Sequence, residues 1–514
     1  MKKTVLLVLS ILFLQSCNST TETFDHSNTI NLVPIPKQIS VSAQAVRLSE
    51  QSTIFVEEAL APLAKIFQAE LLALTDFKVE IAESKNSADI TFTIDGQQEK
   101  DSYQIKIDKE INVTGGSYQA LAMARNSLLQ LAFVDEGKLS FPILNMEDRP
   151  DSGYRGLMID LARQWHSVES IKELINMSSF YKSNYLHLHF TDYQSYTLPS
   201  KKYPKLSTPD RHYTFEELEM LEAYAQERGV TIIPEIDIPG HASSIVEAYP
   251  ELFGIKDIKE NPWTINMGKE EVYTALEEIL AEIIPIFKST PIIHIGGDEA
   301  IFHKLDNDPH VQEYMKTNDL GDDVHDLYRH FIVRMNDIVK KHGKQMAVWE
   351  GFRKEGKVEI PKDIIVYEFE TNRYLPNDLI EDGYTVVNTS WKPLYVVNRK
   401  KWEPETIYNW NVSRWENWFP KAPSFDPIQT NGSNLILGAQ MCAWEQAEQS
   451  EFMSLRKRLP VMNERIWNVE YQVDFPTFMS RLDATDELLS KLTGNTKQDS
   501  LLHGHNYVDD RPDR

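Results

Sequence analysis

Eight apolar runs, most of them followed by a helical pattern, constrain this chain more than any other feature. They are Gly156–Asp160, Tyr185–Phe190, Thr231–Ile236, Ile292–Ile295, Gln345–Trp349, Ile364–Phe369, Tyr384–Asn388 and Leu435–Gln440. Strands buried on both faces read as near-continuous Ile, Val and Leu runs, and the stretches Ser170–Lys182, Phe215–Arg228, Glu270–Phe287 and Asp323–Lys341 between them carry helical spacing. Eight strands alternating with helices close a barrel, so the expected fold is α/β, a (β/α)8 TIM barrel. Its site belongs at the carboxyl ends of the strands. Polar side chains gather there: Asp160 and Arg163, His189 and Asp192, Glu235 and Asp237, His241, Asp298 and Glu299, Trp349 and Glu350, Glu368 and Glu370, Trp391, Trp444 and Glu445. Indole faces stack on sugar C–H surfaces and carboxylates accept hydroxyl hydrogen bonds, so this ring suits a carbohydrate.

The fourth run is the most informative. Ile292-Ile293-His294-Ile295 stops at Gly296-Gly297-Asp298-Glu299. The glycines permit positive φ or close backbone approach, and two adjacent carboxylates crowd charge so that one can be held protonated. The same letters also fit an acidic turn capping the next helix.

At 514 residues the chain is long enough for two domains. A formal charge of −24 disfavours nucleic acid and anionic membrane surfaces as partners. Lys2 and Lys3 followed by the apolar run Thr4 to Leu14 predict a signal peptide over residues 1–16, too short to span a bilayer. Leu14-Gln15-Ser16-Cys17 is similar to a bacterial lipobox, which implies lipidation of Cys17. That would tether the protein by lipid alone to a bacterial membrane, periplasmic or at the cell surface. Residues 17–31, rich in Thr, Ser and Asn, read as the tether. Residues 32–148 read as a smaller α+β accessory domain with an antiparallel sheet, on the alternation of Tyr103, Ile105 and Ile107 with polar residues. The barrel is expected over 149–495, with a tail over 496–514. Cys442, without a cysteine partner in the mature chain, reads as a buried apolar residue.

Four motifs in order then carry a family resemblance. Tyr154-Arg155-Gly156-Leu157-Met158-Ile159-Asp160, Leu186-His187-Leu188-His189-Phe190-Thr191-Asp192, Ile233-Pro234-Glu235-Ile236-Asp237-Ile238-Pro239-Gly240-His241 and His294-Ile295-Gly296-Gly297-Asp298-Glu299 resemble family-20 glycoside hydrolases, the β-N-acetylhexosaminidases. Val33-Pro34-Ile35-Pro36-Lys37 is similar to the opening of that family's accessory domain. The resemblance implies exo-acting, retaining removal of terminal N-acetylglucosamine or N-acetylgalactosamine from glycans, without cofactor or metal. Catalysis would be substrate-assisted, the 2-acetamido oxygen attacking its own anomeric carbon. It implies Glu299 as acid and then base, Asp298 as acceptor of the acetamido N–H, and a relay from Asp192 through His241 to Glu299. It also implies Arg155 on the sugar 3- and 4-hydroxyls, Tyr395 on the acetamido oxygen, and Trp349, Trp391 or Trp410, and Trp444 as pocket walls.

Departures from the family pattern bear on specificity. Asp192-Tyr193-Gln194-Ser195-Tyr196-Thr197 lacks a second aspartate, and Tyr395-Val396-Val397-Asn398-Arg399 places valine where relatives have an acid. Trp444-Glu445-Gln446 moves an acid by one position. With Val397 and Gln446 replacing carboxylates near Asn398 and Arg399, an alternative substrate is 6-O-sulfated N-acetylglucosamine. Two other classes compete. His187 and His189, two apart on one strand face, with His241, His294 and Asp298, are the donor types of a metal-dependent barrel hydrolase. A non-catalytic sugar-binding lipoprotein built on the same fold is the other. The chain is compatible with a homodimer.

Overall fold

The computed structural model describes residues 30–49, 51–85, 88–398, 400–420, 422 and 424–499. Cys17, the leader and Arg399 therefore lie outside the described residues, as do all but two residues of the expected tether.

The barrel forms as expected. Its strands are β1 (Tyr154–Asp160), β2 (Tyr185–His189), β3 (Thr231–Glu235), β4 (Ile292–His294), β5 (Gln345–Trp349), β6 (Ile365–Glu368), β7 (Thr385–Asn388) and β8 (Ile436–Trp444). All neighbours pair in parallel, and β8 closes the ring by pairing with both β7 and β1. Period two decides what faces where. From β1, Tyr154 and Met158 enter the barrel interior beside Ile233, Trp349, Tyr367 and Cys442, while Leu157 and Ile159 join the larger core under the helices. Cys442 is fully buried, as the sequence reading expected.

Helices form where capping residues meet an apolar stripe. Phe215–Glu227 starts with a complete capping box, the Thr214 hydroxyl accepting from the Glu217 N–H while the Glu217 side chain accepts from the Thr214 N–H. Val324–Lys341 is capped by Asp323 and ends on Lys340 and Lys341, which suits the helix dipole.

The accessory domain is an eight-stranded sheet under helices Ala61–Thr75 and Tyr118–Leu131. The antiparallel expectation is only half right. Tyr103–Ile107 pairs antiparallel on both sides, but Ile111–Gly115, Ile90–Ile94, Thr53–Val56 and Glu80–Ile81 pair in parallel, so the sheet is mixed. Two long strands, Gln38–Arg47 and Lys138–Asp148, were not expected; the first is largely exposed and the second carries Pro142, which blurs both signals.

A buried polar knot joins the domains. Asp148 accepts from Tyr103 OH at 2.5 Å and Trp467 Nε1 at 2.9 Å, and pairs with Lys182 at 3.4 Å. Arg155 belongs to this knot: it donates to the Lys182 and Ser152 carbonyls and stacks on Trp467, 5.2 Å from the ring centre.

Candidate active site

Beyond the carboxyl ends of the strands the loops enclose a cavity of about 410 Å³, within the range of small-ligand sites. Asp237, His241, Asp298 and Glu299 line it together with Trp391, Tyr395, Trp418 and Trp444.

The β4 loop fixes the two carboxylates. Gly296 and Gly297 have φ of +70° and +101°, and a Cβ on Gly296 would stand 1.7 Å from Asp237 Oδ1, so only glycine fits there. Gly297 N–H donates to that same Asp237 oxygen at 3.3 Å. The tight turn delivers Asp298 and Glu299 in succession, Glu299 itself at φ +46°. Strained backbone of this kind clusters at functional sites.

His241 gathers the acids. Its Nε2 lies 3.8 Å from Asp298 Oδ2 and 3.4 Å from Glu299 Oε2, and its Nδ1 lies 3.2 Å from Asp192 Oδ2. Burial opposes charge on this imidazole, but Asp237 and Asp298 and the hydrogen bonds to Asp192 and Glu299 outweigh it and raise its pKa well above the ordinary value. Asp192 is buried, yet the Arg163 guanidinium at 2.6 Å and its two histidine partners hold it far below the usual carboxylate range. Burial pushes Asp298 up to about 6, with His241 opposing and Glu299 adding to the rise. Glu299, whose side chain is 48% exposed, is held below its usual range first by its hydrogen bond to His241.

The expected relay from Asp192 through His241 to Glu299 is thus present as geometry, and Tyr395, Trp391, Trp444 and Asn398 all line the cavity. Four expectations need correction. Arg155 is fully buried at the start of β1 with the same parity as Leu157 and Ile159, so it faces the accessory domain and not the cavity. Arg163, just past the strand end, fills that place: it pairs with Asp160 at 3.0 Å and lies 4.9 Å over the Trp444 ring. Trp410 is buried in the outer core, its Nε1 donating to the Arg414 carbonyl, and Trp418 stands on the cavity wall instead. Gln446 is buried behind the wall, where its Nε2 donates to Asn398 Oδ1 at 3.3 Å, while Glu445 lines the cavity. Glu445 has φ +58°, which breaks the strand alternation that had put Gln446 inside. Trp349 is the fourth: it does not line the cavity but lies just beneath it, 5.8 Å from the Trp444 ring.

Trp402, Lys400 and Phe369 also line the cavity and were not foreseen. Lys400 and Trp402 come from a segment outside the barrel strands, whereas Phe369 closes the sixth apolar run beside Glu368. Val397 lines it as well, next to Asn398.

The histidines are divided among separate donor groups rather than joined in one. Glu235 accepts from Trp349 Nε1 at 2.6 Å and has His189 Nδ1 at 2.8 Å and His187 Nε2 at 3.0 Å. Burial brings His294 down to about 4, and its Nδ1 accepts the Gly296 N–H. Among the described residues the proposed donors His187, His189, His241, His294 and Asp298 are spread over three groups with neighbouring acids: His187, Glu235 and His294; His189, Asp192 and Asp237; Asp237, His241 and Asp298. The first group is sealed inside the barrel with no exposure, where no substrate could reach it.

Fold and site together define a (β/α)8 carbohydrate hydrolase with paired acidic residues at the fourth strand. Residues 153–470 match the model of glycosyl hydrolase family 20, catalytic domain, and residues 29–149 match that family's domain 2. The chain belongs to glycosyl hydrolase family 20. It is 27% identical to a beta-hexosaminidase of Porphyromonas gingivalis, over 89% of this chain and 63% of that protein. It is 28% identical to a beta-hexosaminidase of Vibrio furnissii, over 81% of this chain and 72% of that one. Among solved structures, the beta-N-acetylhexosaminidase of Bacteroides fragilis superposes with a TM-score of 0.78 at 25% identity, covering 92% of this chain and 97% of that one.

Proposed function

We propose that this chain is an exo-acting, retaining β-N-acetylhexosaminidase that releases terminal N-acetylhexosamine by substrate-assisted catalysis. The observation that carries the reading is one buried oxygen. Asp298 Oδ1 has no hydrogen-bond partner among the described residues although it is buried on the cavity wall. A buried acceptor left unpaired costs about 1–3 kcal/mol, which an amide N–H from a ligand would recover.

The steps follow from the positions. The sugar rests among Trp391, Tyr395, Trp418 and Trp444, with its acetamido N–H on Asp298. Held there, the acetamido oxygen attacks the anomeric carbon of its own ring while Glu299 gives its proton to the leaving oxygen. The oxazolinium intermediate is stabilised by the Asp298 carboxylate. Glu299, now ionised, takes a proton from water, which opens the intermediate with net retention. Tyr395 supplies a hydroxyl to the acetamido oxygen, and Arg163, braced by Asp160 and Asp192, supplies a planar pair of donors to the sugar hydroxyls.

The reading takes an unsulfated sugar; a 6-O-sulfated one would meet Glu445 on a lining that also holds the cations Arg163 and Lys400. Glu445 keeps a carboxylate facing the cavity, which repels a sulfate. The relatives at 27% and 28% identity are beta-hexosaminidases, in keeping with this reading. We also propose lipid attachment through Cys17, resting on the Leu14-Gln15-Ser16-Cys17 tetrad. Hydrolysis of aryl β-glycosides of both N-acetylhexosamines, measured with and without chelator, tests the reading: activity on either sugar, unchanged by chelator, is expected, and inactivity on both would overturn it.

A further inference from the structure

A second cavity, of about 300 Å³, lies between the helices Val168–Phe180 and Glu448–Leu455, which follow β1 and β8. Three acids line it, Glu173, Glu448 and Glu451, with one imidazole, His166. Glu448 is already engaged. One of its oxygens accepts from the Ser167 N–H at 2.8 Å and from the Ser167 and Ser170 hydroxyls at 2.6 Å each, which ties the two segments together. Glu451 and His166 are different: they are 1% and 0% exposed, and among the described residues neither Glu451 carboxylate oxygen nor His166 Nε2 has a hydrogen bond.

These two groups face each other, His166 Nε2 standing 3.4 Å from Glu451 Oε2. On the far side of the ring, Nδ1 lies 3.0 Å from the Gln164 carbonyl oxygen. A carbonyl only accepts, so Nδ1 keeps its hydrogen and the neutral ring turns the Nε2 lone pair toward the carboxylate. Two acceptors this close repel unless a cation lies between them, and a buried carboxylate left unpaired is costly. An imidazole that donates one N–H to a backbone carbonyl and offers its other nitrogen to an acidic cavity has the form of a metal ligand. The spacing agrees: two donors about 2.0–2.1 Å from a tetrahedral ion stand about 3.3–3.4 Å apart.

We infer that His166 and Glu451 hold a divalent cation of the zinc class, the imidazole favouring zinc over calcium or magnesium. Among the described residues no third histidine or carboxylate joins the pair in a tight cluster, so water fills the remaining positions while Glu448 and Glu173 add negative charge from the cavity wall. The ion is structural. It locks the loop that carries Arg163 to the helix that follows Trp444 and Glu445, and neither of its ligands lines the catalytic cavity. This goes beyond the hexosaminidase reading and does not depend on it.

The test is equilibrium dialysis of the metal-stripped full chain against zinc chloride at neutral pH, with Tm measured alongside. The unaltered protein should bind about one zinc ion per chain and gain about 2 °C in Tm at saturation, and Glu451→Gln and His166→Gln should each lose both effects. Hydrolysis of an aryl N-acetylhexosaminide should run at the same rate with and without the ion. Zinc that still binds both variants and slows hydrolysis belongs to Asp237, His241 and Asp298 at the catalytic cavity, and overturns the assignment. Absence of binding by the unaltered protein overturns it too, and leaves a proton alone between the pair. Where a variant does not fold, a zinc-soaked crystal of the unaltered protein decides. An anomalous peak about 2.1 Å from His166 Nε2 and Glu451 Oε2 is expected, and no peak there rejects the site.

Discussion

His241 Nε2 stands 3.4 Å from Glu299 Oε2, and the opposite ring nitrogen stands 3.2 Å from the buried carboxylate of Asp192. One imidazole thus ties an interior charge to a half-exposed acid. Its positive charge lowers Glu299 and opposes the rise that burial imposes on Asp298.

The productive state of the adjacent carboxylates carries one proton between them: in the free protein burial favours it on Asp298, and an acetamido N–H bound to Asp298 stabilises that carboxylate ionised and leaves the proton to Glu299. Burial lifts Asp298 to about 6 and His241 lowers Glu299, so the pair keeps a single proton only over a mildly acidic window. As pH rises through about 6 that proton leaves and kcat/KM should fall; as pH drops below the ordinary glutamate range both groups protonate and it should fall again. His241→Gln should move the lower limb upward, because the charge that depresses Glu299 is gone. A profile that keeps rising to pH 8 would contradict this assignment.

Glu299→Gln should reduce turnover of a natural disaccharide by about 1,000-fold, since general acid catalysis contributes factors of this order. An activated aryl glycoside needs less protonation and should lose less. Equal losses on both would show that the residue does not act on the leaving oxygen.

Asp298→Asn should weaken inhibition by a thiazoline analogue of the oxazolinium, because the charge that matches its positive ring is removed. We expect about a hundredfold rise in the inhibition constant, read directly by competition. A constant unchanged within error would point to a different acceptor for the acetamido group.

The two arginines of the β1 region separate function from fold. Arg163→Lys should lower kcat/KM by about ten- to hundredfold with little change in Tm, as charged hydrogen bonds to the sugar are lost. Arg155→Met should lower Tm and leave kcat/KM intact, since Arg155 bonds only within the domain junction. The reverse pattern would restore Arg155 to the site.

Asp192→Asn should lower kcat more than it raises KM. Asp192 does not line the cavity; it positions His241 and Arg163 through contacts of 3.2 Å and 2.6 Å. A change in KM alone would mean direct contact with the sugar.

The barrel was legible from the sequence because its strands are buried on both faces, so their apolar runs survive any detail of packing. The Gly296-Gly297-Asp298-Glu299 turn was legible only in part: a strand ending in two glycines and two acids also fits an acidic helix cap, and the structure decides between them, Asp237 lying against Gly296. His241 and Asp192 also came from strand-end position. Arg155 resembles a sugar-binding arginine by motif, but its parity with Leu157 and Ile159, readable in the sequence, turns it away from the cavity.

Other features were decided only by tertiary structure. The exchange of Gln446 for Glu445 follows from one left-handed residue, and side-chain periodicity carries no information past such a break. The choice of Trp418 over Trp410 depends on the path of the 402–418 segment, which has no regular period to reveal which side faces the cavity. The protonation of Asp298 against Glu299 arises from unequal burial and from the reach of one imidazole. Sequence specified the strands and the groups at their ends; the distances and desolvation that turn those groups into a site arise only where residues far apart in the chain pack together.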